Sequence, residues 1–239
     1  MLYLLPNLLG ETEDHSFYLP GAVGVYVAAL TDLIAESEKG ARQFLRRFAF
    51  IPPKTFRDIT LHVLNEHTIP HDRRELAAQV GRGGVWGLIS DAGMPCLADP
   101  GADIVQMVRR KGVPVKAVAG PSSLILALVL SGLGGQSFSF HGYLPREESP
   151  LTAEIKRIEK LSQKEGSTHL FIETPYRNER LFAALISSLH DETFMSIAFS
   201  LTEPEELVET RKVGEWKKRE KPPLSKKPCV FLFKSPPNP

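Results

Sequence analysis

Apolar and polar positions fall along this chain in blocks, and the blocks predict strands and helices in turn. Leu2 to Leu5 reads as a short apolar strand that runs into a loop at Pro6-Asn7. Arg73 to Val80 has helical spacing, and Gly81-Arg82-Gly83-Gly84 stops it, glycine supplying the left-handed cap. Val85 to Ile89 is the next apolar strand. Asp99-Pro100 then has the form of a helix N-cap followed by proline at the first helical position. The helix runs through Ile104, Val105 and Val108 to Arg109-Arg110-Lys111, whose charges suit a helix C-terminus. Val113 to Val118 is a strand and Leu124 to Leu133 an almost wholly apolar helix. In the second half, Leu151 to Lys164 is an amphipathic helix and Thr168 to Glu173 a strand. Asn178 caps a helix to His190, and Phe194 to Phe199 and Cys229 to Phe233 are further strands. This alternation predicts an α/β fold with a mainly parallel sheet. A boundary near Gly120, where the first βα series ends, gives two α/β domains, 1–119 and 120–239.

Composition narrows the class. The 239 residues are 42% apolar and 24% charged, which excludes disordered and fibrous chains. Twenty-nine basic residues nearly balance 28 acidic ones, so RNA binding requires a local patch. The two cysteines, Cys96 and Cys229, build neither a disulfide framework nor a metal site, and a reducing cytoplasm is expected. The first residues lack the basic flank of a signal peptide, and no run reaches the ~20 apolar residues of a membrane span.

The densest chemistry is the stretch SDAGMPCLADPG, Ser90 to Gly101, which follows a predicted strand. Ligands of open α/β sheets lie outside the carboxyl ends of strands. There Gly93 lets backbone approach a ligand, and Asp91 can accept hydrogen bonds from its hydroxyl or amine groups. Asp99 is read as a capping residue. A second tight loop, AGPSS (119–123), follows the next strand. No GxGxxG follows the first strand and no P-loop occurs, so a nucleotide phosphate cradle is not supported. Spacing alone does not name the ligand.

Four motifs taken in order do. SDAGMPCLADPGADIV, VAGPSSLILALVLSGL, FSFHGYLP and FIETPYR resemble the tetrapyrrole methylase superfamily, and within it the branch that methylates small-subunit ribosomal RNA. The likeness covers nearly the whole chain. It implies two α/β domains of the tetrapyrrole methylase type, with S-adenosylmethionine in a cleft between them, no metal, and a homodimer. It also implies a donor site lined by Pro6, by Asp91, Gly93, Met94 and Pro95, by Ser122 and Ser123, and by Ile172, Glu173 and Pro228. The branch's AEDTR motif stands here as Ala35-Glu36-Ser37-Glu38-Lys39, which keeps Glu36 as the candidate base, and its RELTK motif as Phe199-Ser200-Leu201-Thr202-Glu203. With no long extension after its last strand, the chain reads as a short branch.

Methyl transfer places an acceptor oxygen or nitrogen in line with an activated methyl group, and a base assists where the acceptor is a hydroxyl. The expected activity is S-adenosylmethionine-dependent methylation of a ribosomal RNA ribose 2′-hydroxyl. A small tetrapyrrole acceptor, or donor binding without methylation, are the alternatives. Arg42, Arg46 and Arg47, and a second cluster of Lys217-Lys218-Arg219 with Lys226-Lys227, are the candidate RNA contacts. His141 in FHGYLP is expected to make a structural hydrogen bond.

Overall fold

The computed structural model of the chain describes residues 1–10, 14–224 and 228–237. They divide into two compact units, Met1–Ser122 and Ser123–Pro239. The first unit contains strands β1 (Leu2–Leu4), β2 (Asp32–Ala35), β3 (Thr60–Val63), β4 (Trp86–Leu88) and β5 (Val115–Ala117). Its α-helices are α1 (Ala22–Ala29), α2 (Glu38–Leu45), α3 (Pro70–Gly81) and α4 (Ala102–Arg110). All strand pairs are parallel, in the order β3-β2-β4-β1-β5. Successive strand residues face opposite sides of the sheet. Leu33 accordingly joins Val23, Val27, Ala41 and Phe44 from α1 and α2, whereas Ile34 joins Leu76, Val80, Ile104 and Val108 from α3 and α4. Helices on both faces explain why β1 and β4 read as continuous apolar runs. Parallel order also sends every strand out at the same edge, and residues 5–10, 36–37, 89–101 and 118–122 leave from it.

The second unit holds α5 (Ser123–Ser131), β6 (Phe138–Phe140), α6 (Glu148–Glu165), β7 (Thr168–Glu173) and α7 (Asn178–Ser188). It continues through β8 (Phe194–Phe199), β9 (Leu207–Lys212), α8 (Val213–Trp216) and β10 (Cys229–Lys234). Its sheet runs β6-β7-β10-β8-β9, with only the β6/β7 pair parallel. The expectation of a mainly parallel sheet holds for the first unit and fails here. Residues 200–206 are too few for a crossover, so β9 must return antiparallel to β8. β10 then runs between β7 and β8 in the opposite sense to both. Ile155, Ile158, Leu181 and Leu185 of α6 and α7 cover one face, over Phe171, Ile197, Phe231 and Phe233. The apolar α5 packs against β8, β9 and β10.

Two helix caps differ from the sequence reading. Helix α4 begins at Ala102 with Gly101 (φ 122°) at its N-cap and no side-chain cap, so Asp99 lies upstream in the loop. Gly101 turns the chain there, and the Asp99 carboxyl is instead half-buried in the loop near Glu36 and Asp91. Helix α7 begins at Asn178 itself, with Arg177 at the N-cap. The buried Asn178 amide donates to the Leu224 carbonyl at 3.2 Å, tying the segment before β10 to the start of α7. No helix among the described residues is long and apolar enough to cross a membrane.

Candidate functional site

The carboxyl edge of the first sheet is organised around Asn7. Its side-chain NH2 donates to the carbonyls of Ser90 and Asp91, at 3.0 Å each. Its Oδ1 accepts from the Leu8 amide and from the Arg47 guanidinium, both at 2.9 Å. The backbone continues the union: Asn7 N–H donates to Gly93 O at 2.8 Å, and Gly93 N–H to Leu8 O at 3.3 Å. On the other side Gly120 lies against buried Pro6, where an added Cβ would fall 2.1 Å from the proline Cβ. A side chain at 120 therefore has no room. An added Cβ at Gly93 would stand 3.3 Å from the Pro121 carbonyl. Three of the loops named in the sequence (6–10, 90–95 and 119–122) thus meet, and Pro6, Asp91, Gly93 and Ser122 belong to them. Met94 is half-buried and Pro95 buried in the same loop.

Three carboxylates share this edge. Glu36, at the end of β2, accepts the Asp91 amide on Oε1 at 3.0 Å. The Asp91 carboxylate rests over α2, where a Cβ on Gly40 would come within 2.7 Å of its Oδ1. The Ser37 hydroxyl caps that helix by accepting from Gly40 N–H at 3.0 Å. Burial raises the Glu36 carboxyl above its usual range, and the negative charges of Asp91 and Glu66 add to it despite the Asp91 amide. Asp99, read from sequence as a cap, belongs to this group. Burial pushes its carboxyl up to about 6, with Glu36 and Asp91 adding repulsion. Its burial was invisible in sequence, because Asp-Pro before an apolar run reads as a cap.

The loop bearing these acids is conformationally costly. Gly93 (φ 72°) and Gly101 (φ 122°) are joined in the left-handed region by Cys96 (φ 68°) and Ala98 (φ 69°). Non-glycine residues at positive φ store strain, and such residues cluster at functional sites. The Cys96 thiol is raised to about 11 by burial and then by Asp103 and Asp99, so it stays protonated. Among the described residues, the other two non-glycine residues at positive φ, Ser200 (φ 50°) and Thr202 (φ 71°), fall in the SLTEP stretch of the second unit.

In the second unit, Ile172 and Glu173 end β7 and Pro228 precedes β10, and the pairing Cys229↔Glu173 brings all three to one edge of the sheet. Ser123 opens α5. The Glu173 carboxylate is enclosed, its side chain 1% exposed and paired with Arg177 at 2.9 Å. It also accepts the Thr174 amide at 2.7 Å, so it shapes the Thr174-Pro175-Tyr176-Arg177 turn. His141 Nε2 lies 2.8 Å from Nδ1 of the buried His169, whose Nε2 is 3.0 Å from the Ser167 hydroxyl. Burial lowers the pKa of both imidazoles, that of His169 to about 4.

The basic clusters are mostly engaged within the protein. Arg42 pairs with Glu38, Arg46 lies over the Phe56 ring, and Arg47 is half-buried on Asn7. Arg47, a candidate RNA contact in the sequence, therefore supports the candidate donor loop. Lys217 pairs with Asp191 and Arg219 with Glu209, while Lys226 and Lys227 lie outside the described residues.

Over residues 26–217 the sequence matches the family of tetrapyrrole (corrin/porphyrin) methylases. It is 30% identical over 216 residues to the ribosomal RNA small subunit methyltransferase I of Vibrio cholerae, covering 90% of this chain and 69% of that protein. The protein of the same name from Leptospira borgpetersenii is 39% identical over 125 residues, 52% of this chain and 48% of that protein. The matches thus span from about half to just over two thirds of these relatives' lengths. The crystal structure of the methyltransferase CobJ superposes with a TM-score of 0.63 at 14% identity, covering 98% of this chain and 93% of that one. Diphthine synthase gives a TM-score of 0.61 at 14% identity, covering 98% of this chain and 89% of that one. These superpositions establish the fold.

Two predictions follow from the geometry of the edge. Asn7→Ala leaves two carbonyls and Arg47 without partners and is expected to cost about 1–3 kcal/mol for each buried group left unmet; urea unfolding of the variant against wild type measures the loss. Asp99 titrates near 6 in the folded unit against 3.8 as a free carboxyl. The folded state therefore holds a proton the unfolded state has released between those values, and this group's favourable contribution fades as pH rises through them. Asp99→Asn should raise the melting temperature at pH 7–8 and lose that advantage below about pH 4, as read by thermal melts across pH.

Proposed function

We propose that this chain, which belongs to the tetrapyrrole (corrin/porphyrin) methylase family, is an S-adenosylmethionine-dependent methyltransferase that acts on a ribose 2′-hydroxyl of small-subunit ribosomal RNA. The observation that carries the reading is the likeness, along 90% of the chain, to a ribosomal RNA small subunit methyltransferase I. We read the protein as a cytoplasmic homodimer.

The edge of the first sheet suits such a donor. A sulfonium and an α-amino group are both cationic, and Glu36, Asp91 and Asp99 present negative charge where parallel strands end. Asp91 is exposed and can accept hydrogen bonds, while Gly93 and Ser122 keep the neighbouring backbone close. Ile172, Glu173 and Pro228 are the second unit's part of the proposed donor site, Glu173 acting through the turn it shapes. The donor supplies a methyl group already activated by positive sulfur. The remaining requirement is an acceptor oxygen held in line as its proton leaves. Glu36 is the proposed base. As the new O–CH3 bond forms and the C–S bond breaks, the hydroxyl proton passes to the Glu36 carboxylate and sulfur takes the electron pair. Burial raises the Glu36 carboxyl and so improves it as a proton acceptor.

Small-subunit ribosomal RNA from a strain lacking the protein should be short of one ribose methyl group by mass spectrometry, restored by the wild-type gene. Unchanged RNA overturns the acceptor. Variants of the purified protein separate the two roles. Asp91→Ala is expected to weaken donor binding about 3- to 12-fold in calorimetry, one hydrogen bond's worth. Glu36→Gln keeps an acceptor for the Asp91 amide but removes one charge of the edge, so donor affinity should fall no further than in Asp91→Ala, while turnover falls roughly 10²- to 10⁴-fold.

A further inference from the structure

The exposed aromatic and basic residues that this site leaves unused gather on the second unit. Strands β6 and β7 are parallel and paired from Phe138↔Thr168 to Phe140↔Leu170, so the loops that follow them leave by the same edge. Each loop carries an exposed tyrosine, Tyr143 at 57% and Tyr176 at 90%. A ring with nine tenths of its surface in water contributes almost nothing to the core, yet it offers a flat apolar face. Helix α6 starts from that edge and carries Lys156 and Lys160 one turn apart. Two open grooves follow it. One of about 590 Å³ lies beside Ser149, Thr152 and Lys156, the other of about 740 Å³ beside Lys156, Lys160 and Gln163. Lys156 lines both.

The charges along these grooves are unequal. Glu159 is buried and accepts from the His190 amide and the Thr193 hydroxyl, Asp191 pairs with Lys217, and Glu192 pairs with Lys212. Lys156 and Lys160 are exposed, and neither has an ion pair among the described residues. Glu148, in the first turn of α6, is the one other acid lining a groove. From Ser149 to Gln163 the helix rises about 21 Å, enough to follow several nucleotides.

We propose that this face binds single-stranded RNA: Tyr143 and Tyr176 stack on unpaired bases at the sheet edge, and Lys156 and Lys160 contact backbone phosphates along α6. Unpaired bases stacked on aromatic rings beside a cationic groove are the usual means of holding single-stranded RNA. The inference rests on the ribosomal RNA reading above, and it moves the acceptor contacts away from Arg42, Arg46 and Arg47. A protein partner would find little apolar surface to bury in these two open grooves.

The test uses the full chain and a fluorescently labelled small-subunit ribosomal RNA transcript, with affinity read by anisotropy over a sodium chloride series. Lys156→Gln with Lys160→Gln should weaken binding and flatten the plot of log K against log salt by about 1.4, or 0.7 for each phosphate contact. Tyr176→Ala should weaken binding roughly 5- to 150-fold, and Tyr176→Phe should restore it. Melting temperatures should match wild type, because these side chains are exposed. Donor affinity, by calorimetry, should be unaffected by the lysine changes. If wild type binds the transcript and the variants bind equally well with the same slope, the surface is misplaced while the acceptor reading stands. If wild type binds the donor but shows no salt-dependent RNA binding, the acceptor reading fails and this inference with it.

Discussion

The carboxyl edge of the first unit depends on one buried amide. Asn7 uses all four hydrogen-bonding positions of its side chain, two donating to the carbonyls of Ser90 and Asp91 and two accepting from Leu8 and Arg47. Only a primary carboxamide supplies two donors and two acceptors, and asparagine carries it on the shorter stem. Loops are expensive to order, at roughly 1–2 kcal/mol of backbone entropy per residue, and a loop of acids and left-handed residues has little intrinsic reason to adopt one form. Asn7 links the strand that precedes it, the loop opposite and helix α2 through Arg47. Arg47 is itself partly desolvated, which lowers its pKa, so the clamp holds the cation as firmly as the cation holds the clamp.

What the clamp restrains is a region where stability and chemistry conflict. Glu36, Asp91 and Asp99 repel one another, and burial penalises the charge on two of them. The loop adds strain at Cys96 and Ala98. A structure selected for stability alone would relax each of these features, and their survival together is a physical argument for a ligand whose positive charge would relieve them. The Asp91 amide on Glu36 and the dipole of α2 beneath Asp91 limit the cost without neutralising the field.

Most elements with a clear apolar block were legible in the sequence, Thr168–Glu173 and Phe194–Phe199 to the residue. Strands β2, β3, β6 and β9 were not. Asp32–Ala35 and Thr60–Val63 are four residues each, and Leu207–Lys212 is a half-exposed edge strand whose polar content masks it. The antiparallel sense of the second sheet depends on where β10 inserts, a contact distant in sequence that no local pattern encodes. At the site, the loops could be read from their glycines, prolines and motif order. The clamp could not, since Asn7 and Arg47 lie 40 residues apart. Asp99 went astray because sequence reports a carboxylate's presence, whereas its role follows from burial and partners. Glu173 is enclosed with Arg177, and Asp99 is pressed against other acids.

The charge arrangement also constrains how an RNA acceptor is handled. A chain with 29 basic and 28 acidic residues has little long-range attraction for a polyanion, and many of its surface cations are spent on neighbouring acids. The acid edge that suits a cationic donor repels phosphates. A polynucleotide gripped along its backbone at that edge would therefore be held where it is least welcome. The same edge tolerates a neutral ribose, because a hydroxyl brings no charge and gains a proton acceptor. Backbone contacts then belong on surfaces whose lysines lack acidic partners, and base contacts on exposed rings, so that only the sugar to be modified need meet the carboxylates. The negative field that would bind the donor thus also restricts which part of the acceptor is presented to it.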